Sequence, residues 1–363
     1  MRIAVLANLM KNAPTWEGMS PDQWDDLDSE KTIKNIIAAL ESNGHTADFF
    51  EASLLPPFNL VEKLRAYQPD LCFNIAEGHF GDGRESHIPS VLEMLKIPYT
   101  GSKVTALALT LDKPLTKRVL RYHNLPTPEF QVFETISDPV DADLLNEAGE
   151  LAFPMFVKPS REGTGMGVSA ASIVHTIEEL NAQVEAQIKR YNQPILCERY
   201  ISGRELTVGV IGNLAPSAAR RINERTAPNV LPESLTFFPI MEIDVQTYDE
   251  SEAGLYTNRI KTDLVDDFHF TIPAPLQEDI AEQLRLLTAA VFRVTDCKDV
   301  ARVDFRLDDD GQPWILEVNP LPGLNPIYSD LCLQAKVHGW TYEHLLNTIV
   351  TLAAERQNIR IEA

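Results

Sequence analysis

A chain of 363 residues, 44% hydrophobic and 23% charged, has ample material for a packed core and reads as two or three domains rather than one. Its formal charge of −21 argues against an extended nucleic-acid or acidic-membrane surface, because phosphate-rich partners demand clustered Lys and Arg; a local basic site for a nucleotide stays open. No apolar run approaches a bilayer span, and Met1 to Leu6 is too short for a signal-peptide core, so a cytoplasmic setting is expected.

Residues 1 to about 110 alternate strands and helices, the pattern of a doubly wound parallel sheet. Strands are expected at Arg2 to Leu6, Ala47 to Phe50, Leu71 to Ile75 and Ile97 to Thr100. Helices are expected at Thr32 to Glu41 and Ser86 to Leu95, each with apolar residues at helical spacing. Ligands of such sheets bind at the carboxyl ends of the strands, which points to the long loop after Asn8 and to Asn74–Gly78. Asp112 caps a helix to Tyr122 with Pro114 in its first turn and Leu115, Val119 and Leu120 facing inward. Leu125-Pro126-Thr127-Pro128 is a linker, and Phe130 to Phe133 opens the next domain.

Phe153 to Pro159 is a strand ending in Lys158, followed by Ser160-Arg161-Glu162-Gly163-Thr164-Gly165-Met166-Gly167. Glycines and small hydroxyls let backbone N–H groups close over phosphate, and the adjacent lysine strengthens that reading; the spacing matches neither the P-loop nor the Rossmann fingerprint. Thr176 to Glu179 is a capping box for a helix carrying Leu180, Val184 and Ile188 inward. Ile195 to Ile201 and Glu205 to Ile211 are strands, the second closed by a hairpin-type turn at Gly212-Asn213. Glu198 and Glu205 bracket their connector, either as two solvated charges or as an adenine and ribose clamp; spacing does not decide. Residues 223 to 272 hold an ordered loop with Tyr256, Arg259 and Lys261, and helices follow at Gln277 to Val294 and Thr341 to Ala354. The cysteines, 72, 197, 297 and 332, are widely spaced and read as buried reduced thiols; the histidines show no metal-ligand spacing.

Val300 to Asn319 carries the chemistry. Val300 to Leu307 alternates, with Arg302, Asp304 and Arg306 on one face and Val303, Phe305 and Leu307 on the other. Asp308 to Gly311 is a turn, and the return strand, Trp314 to Val318, places Ile315, Glu317 and Asn319 together. Asp304, Glu317 and Asn319 are hard oxygen donors inside apolar strands, where burying charge is costly unless it is paired or metal-bound. They suit Mg²⁺ carrying phosphates, which Arg302 could also reach.

These landmarks resemble the ATP-grasp carboxylate–amine ligases, and among them the D-alanine–D-alanine ligase group, over nearly the whole chain. The resemblance rests on Ile97-Pro98-Tyr99-Thr100-Gly101-Ser102, Leu111-Asp112-Lys113, Val157 to Gly163, Glu198 through Glu205, Arg302-Val303-Asp304 and Glu317-Val318-Asn319. It implies an α/β (α+β) ATP-grasp fold with an N-terminal doubly wound domain: 1–110 for substrate, 111–212 as the central ATP-grasp subdomain, and 213–363 bearing the metal and phosphate site. It implies ATP and two Mg²⁺ (or Mn²⁺) as cofactors. Lys113 and Lys158 would hold phosphates, the backbone around Glu198 and Ile201 adenine, and Glu205 the ribose. Asp304, Glu317 and Asn319 would bind the metals, and Arg302 would stabilise the transferring phosphoryl group. Lys261 and the Thr164 loop would close over the nucleotide. The implied reaction joins amino-acid or small-peptide substrates through an acyl phosphate, in a protein dimeric by analogy with the family.

The amino-acid end departs from the family. Leu9 to Pro14 lacks the Gly-Gly-x-Ser-x-Glu segment; Asp25, Asp28 or Glu30 are the available substitutes. A His-Gly becomes Glu77-Gly78, the tyrosine after the loop lysine becomes Thr262, and a Ser-Ser pair becomes Thr164-Gly165. Substrate contacts are expected at Glu77, Gly323 and Tyr328 or Ser329. Each lost charge-assisted hydrogen bond is worth about 1.5–3 kcal/mol, so several losses together imply a different substrate pair. A carboxylate at Glu77 should repel an acidic group and attract an amine. The alternatives are a true D-alanine–D-alanine ligase with a rebuilt first site, or a non-catalytic ATP-binding regulator; the full Arg302, Asp304, Glu317 and Asn319 set argues against the last.

Overall fold

The computed structural model describes residues 1–215, 230–245, 247, 255–257 and 269–359. Its first sheet is parallel, in the order β2-β1-β3, from β1 (Arg2–Ala7), β2 (Thr46–Glu51) and β3 (Leu71–Asn74). β1 is buried on both faces, as a continuous apolar run in a parallel sheet should be. Ile3, Val5 and Ala7 pack with α1 (Glu30–Glu41), while Ala4 and Leu6 pack with α2 (Leu60–Tyr67) and α3 (His87–Leu95). Helices thus cover both sides. Residues 97–100 contribute less than a strand: only Tyr99 bridges the sheet, at Cys72. The sequence reading also omits α2 and α4 (Val104–Leu111), whose short apolar runs show no clean periodicity.

α5 (Lys113–Tyr122) begins as expected, with the Asp112 carboxylate accepting from the Leu115 N–H at 2.9 Å. Its inner face is not the expected one. Leu115 is 44% exposed, whereas Pro114, Thr116, Lys117 and Leu120 are buried. The Leu125–Pro128 stretch, read as a linker, is pinned to a strand: Ile315 N–H donates to Pro126 O and the Thr127 hydroxyl to Ile315 O.

The second sheet, β4-β7-β5-β6, is built from β4 (Phe130–Phe133), β5 (Met155–Pro159), β6 (Ile173–Val174) and β7 (Ile195–Arg199), backed by α6 (Ile177–Tyr191). Thr176 caps α6, and Glu179 reaches back to the His175 N–H. The third sheet runs β11-β10-β8-β12-β13, with β9 beside β8. Its strands are β8 (Arg204–Gly212), β9 (Leu235–Phe237), β10 (Met241–Ile243), β11 (Phe270–Thr271), β12 (Asp299–Leu307) and β13 (Pro313–Asn319). Gly212-Asn213 is not a tight hairpin, because the antiparallel partner β9 starts only at Leu235. Asn213 instead donates to Asp299 at 2.8 Å.

One face of the third sheet packs on α7 (Glu278–Val294) through Leu284, Leu287 and Val291. The other face meets α8 (Asp330–Val337) and α9 (Tyr342–Arg356), whose apolar stripe continues into the first sheet's core. Fully buried Asp299 locks that junction, accepting from Arg356 and from Gly101 N–H at 2.8 Å. All four cysteines are buried and free. No helix among the described residues is long and apolar enough to cross a membrane.

Candidate active site

β12 and β13 bring the metal candidates to one face, with Arg302 opposite Asn319 and Asp304 opposite Glu317. A bulge at Leu316 makes this possible. Strict alternation would set Ile315 beside Glu317, but Ile315 pairs with Phe305 and is fully buried in the core on the other side. One extra residue turns the polar end of β13 toward the site while its start feeds the core. Asn319 Nδ2 donates to Asp304 Oδ2 at 2.8 Å, and Thr207 Oγ1 to Asp304 Oδ1 at 2.6 Å. Arg302 grips the same carboxylate with two hydrogen bonds of 3.0 Å and lies 3.2 Å from Asp330 at the start of α8. Burial works against its charge, but the two carboxylates outweigh it and hold its pKa above the usual arginine value.

Opposite this ribbon lie the lysines. Lys113, the first residue of α5, sits 3.5 Å from Glu317 Oε2 and donates to Glu162 O at 2.5 Å. Lys158, ending β5, lies 2.6 Å from Glu198 Oε1. Sequence reasoning missed a third lysine. Lys117 Nζ sits 2.7 Å from Glu198 Oε2 and donates to Thr127 Oγ1 at 2.6 Å. Its one available signal was its place on the Lys113, Lys117, Leu120 face of α5. Burial pushes Lys117 down to about 8 despite the pull of Glu198, whereas Glu198 and Glu317 overcome burial and raise Lys158. Glu198 is buried between two ammonium groups, so it is not a solvated charge. Glu205 pairs with Arg306 at 2.8 Å.

Two cavities meet here. The smaller, about 110 Å³, is lined by Lys158, Glu198, Ile201, Glu205, Asp304 and Glu317. The larger, about 420 Å³, takes in Arg302, Glu317, Asn319, Gly323, Tyr328 and Ser329. Lys113, Glu162, Tyr256 and Glu317 belong to both walls. Gly323 is a glycine for a reason: a Cβ there would stand 2.9 Å from the Ser329 hydroxyl, which accepts from the Asn325 N–H. In the glycine loop Thr164 lines the larger cavity, and at Gly167 a Cβ would strike Pro159 and Tyr191. Arg259, Lys261 and Thr262 lie outside the described residues.

The model of the D-Ala–D-Ala ligase C-terminus family matches residues 119–351. A D-alanine–D-alanine ligase of Bordetella avium is 32% identical over 88% of each chain, and one of Pelotomaculum thermopropionicum 30% over 92% of this chain and 94% of its own. The chain belongs to the D-alanine–D-alanine ligase family. It is an ATP-dependent ligase of C–N bonds, of that family's type. An uncharacterised protein of Sinorhizobium fredii, y4sG, is 32% identical over 98% of both chains. A solved D-alanine–D-alanine ligase from Bacillus anthracis, complexed with ATP, has the same ATP-grasp fold, with a TM-score of 0.71, 23% identity and 99% of both chains covered.

Against that family frame, the far end of the larger cavity is acidic. Asp25 and Asp28 from the long first loop border it, with Glu77 and Glu85; Glu30 does not, being exposed on α1 and paired with Lys11. Arg84, also missed from sequence, binds Asp26 at 3.1 Å and Glu162 at 3.3 Å and donates to Arg161 O at 2.7 Å. It ties the first domain's loops to the glycine loop. Asp22 adds a second tie, accepting from Arg190 at 2.7 Å and from the Tyr191 hydroxyl at 2.8 Å on α6.

The donor set fits a hard divalent cation. Asp304 and Asn319 are in hydrogen-bond contact, Glu317 is the register partner of Asp304, and all three border the cavities that also hold Lys113.

Proposed function

We propose that this ligase joins a carboxylate to an amine through an acyl phosphate, with a substrate pair other than two D-alanines. The carrying observation is the polarity of one cavity, cationic where Arg302 and Lys113 stand and acidic where Glu77, Glu85 and Asp28 stand. The smaller cavity would take the nucleotide base and ribose, against Glu198, Ile201 and Glu205, with Lys158 and Lys113 on the phosphates. Asp304, Glu317 and Asn319 would hold Mg²⁺, which when bound neutralises phosphate charge. A carboxylate oxygen of the first substrate attacks the γ-phosphorus, and ADP leaves. The amine nitrogen then attacks the acyl carbon, inorganic phosphate leaves, and the nitrogen loses its proton. Arg302 contacts the Asp304 and Asp330 carboxylates and borders the larger cavity, so it would offset charge on the transferring phosphoryl group. Loop ties through Arg84 and Asp22 would keep water from an acyl phosphate that it would hydrolyse.

The test is ADP release across amino-acid and amine panels, with products identified by mass. Turnover is expected with a pair other than D-alanine; robust turnover with D-alanine alone, giving its dipeptide, would defeat the changed-substrate reading. The 32% identity to the Bordetella avium enzyme favours that second reading, which the same panel decides.

A further inference from the structure

The smaller cavity is backed by a charge cluster that does not balance. Glu198 stands between two ammonium groups, and each takes a different oxygen: Lys158 lies 2.6 Å from Oε1 and Lys117 2.7 Å from Oε2. All three side chains are buried. Lys158 and Glu198 line the cavity, whereas Lys117 is not among the residues lining either cavity. Its ammonium donates to Thr127 Oγ1 at 2.6 Å and stands 5.7 Å from the centre of the Phe130 ring. The next carboxylates have partners of their own. Glu129, within electrostatic reach of Lys117, pairs with Arg199 at 3.0 Å. Glu205 and Glu317, within reach of Lys158, pair with Arg306 at 2.8 Å and face Lys113 at 3.5 Å.

Packing does not account for Lys117. One lysine would neutralise Glu198, and an apolar side chain of similar length would fill the space behind it; replacing buried ionic groups by apolar ones is often neutral or stabilising. The second ammonium changes how the first is held. A carboxylate with one cationic partner can turn both oxygens to it, and Lys158 would then be neutralised in place. With Oε2 taken by Lys117, Glu198 offers Lys158 a single oxygen. Lys117 is fixed in turn by the Thr127 hydroxyl, which donates to the Ile315 carbonyl on β13. The divided carboxylate leaves a net positive charge at the cavity wall, where a phosphate would meet it.

We infer that Lys117 is a positioning residue for the nucleotide: by holding one oxygen of Glu198 it keeps the Lys158 ammonium available to phosphate. This rests on the nucleotide reading of the smaller cavity given above. The test is calorimetric binding, to the full chain, of adenosine and of the magnesium complex of a non-hydrolysable ATP analogue; the ratio of the two affinities reports the phosphates. Neither amine nor carboxylate substrate enters the measurement, so it stands apart from the choice of substrate pair. Lys117→Met should lower the ratio about tenfold, the worth of one charge-assisted hydrogen bond, and Lys117→Gln should do the same where the Met variant folds poorly. Lys117→Arg, which keeps the charge, should hold the ratio within about threefold of the parent. Adding Glu198→Gln to Lys117→Met releases Lys158 and should restore the ratio to within about threefold, a rescue that a packing defect does not give. A ratio unchanged in both neutral variants, or a fall that Glu198→Gln does not restore, overturns the inference and leaves the nucleotide reading intact. A parent that gains no affinity from the phosphates overturns both.

Discussion

Replacing Glu198 by Gln isolates the buried charge cluster on which the nucleotide pocket is built. Glu198 stands 2.7 Å from Lys117 and 2.6 Å from Lys158, and Lys117 and Glu198 are 1% and 2% exposed. Removing the carboxylate leaves two ammonium groups without their shared counter-charge, a change that costs about 3–5 kcal/mol when a buried pair is broken. The structure limits how Lys117 responds. Its pKa is already pushed down to about 8, so at pH 7 neutralisation is only about one unit, or roughly 1.4 kcal/mol, away. Lys117 should therefore lose its proton in the variant. The folded pKa lies below the unfolded value, so the unfolded chain binds more protons between the two, and this group adds stability as pH rises. In the parent that gain begins near pH 8; in the variant, whose folded pKa lies lower still, it already runs at full slope from pH 7. The stability gap between parent and variant should then shrink by roughly 1 kcal/mol between pH 7 and pH 9. Urea unfolding of both proteins at the two pH values measures it. A variant within roughly 0.5 kcal/mol of the parent at pH 7, a difference inside the extrapolation error, or a gap independent of pH, would refute the charge-cluster account.

Glu85→Gln should stabilise the ligand-free protein at pH 8 by about 2–3 kcal/mol and do nothing at pH 4. Burial first, and Asp26 next, raise Glu85 to about 7, so the unfolded chain gives up its proton earlier and the parent loses stability as pH climbs from about 4.5 to 7; melting curves at the two pH values check this. Asp330→Asn removes one of the two carboxylates beside Arg302, and kcat should fall by about ten- to a hundredfold while KM for ATP holds; kcat within twofold would show that Asp330 does not position the guanidinium. Leu287→Ala, at a side chain 5% exposed in the core between α7 and the third sheet, should cost about 2–5 kcal/mol in urea unfolding, and an unchanged midpoint would remove that helix from the packed core.

Legibility followed the range of the forces involved. The β12–β13 ribbon is readable because Val303, Phe305 and Leu307 alternate with Arg302, Asp304 and Arg306 within a few residues, and Asp308 to Gly311 turns locally. The bulge at Leu316 is not readable, because nothing in Trp314 to Val318 says which residue drops out of register; the demand comes from β12 and from the core behind Ile315. Lys117 defeats the pattern differently. A lysine on a helix is exposed by default, and here a glutamate 81 positions away reverses the default and displaces Leu115 to the surface. The acidic end shows the same dependence. Asp22, Asp25, Asp26 and Asp28 read as one charged loop, yet Asp22 binds α6 through Arg190, Asp26 binds Arg84, and Asp25 and Asp28 turn to the cavity. Four nearly adjacent acids thus take three different roles, each set by a partner more than fifty residues distant or by the cavity itself. A substrate whose own charge completes that arrangement is the one element no single chain sequence contains.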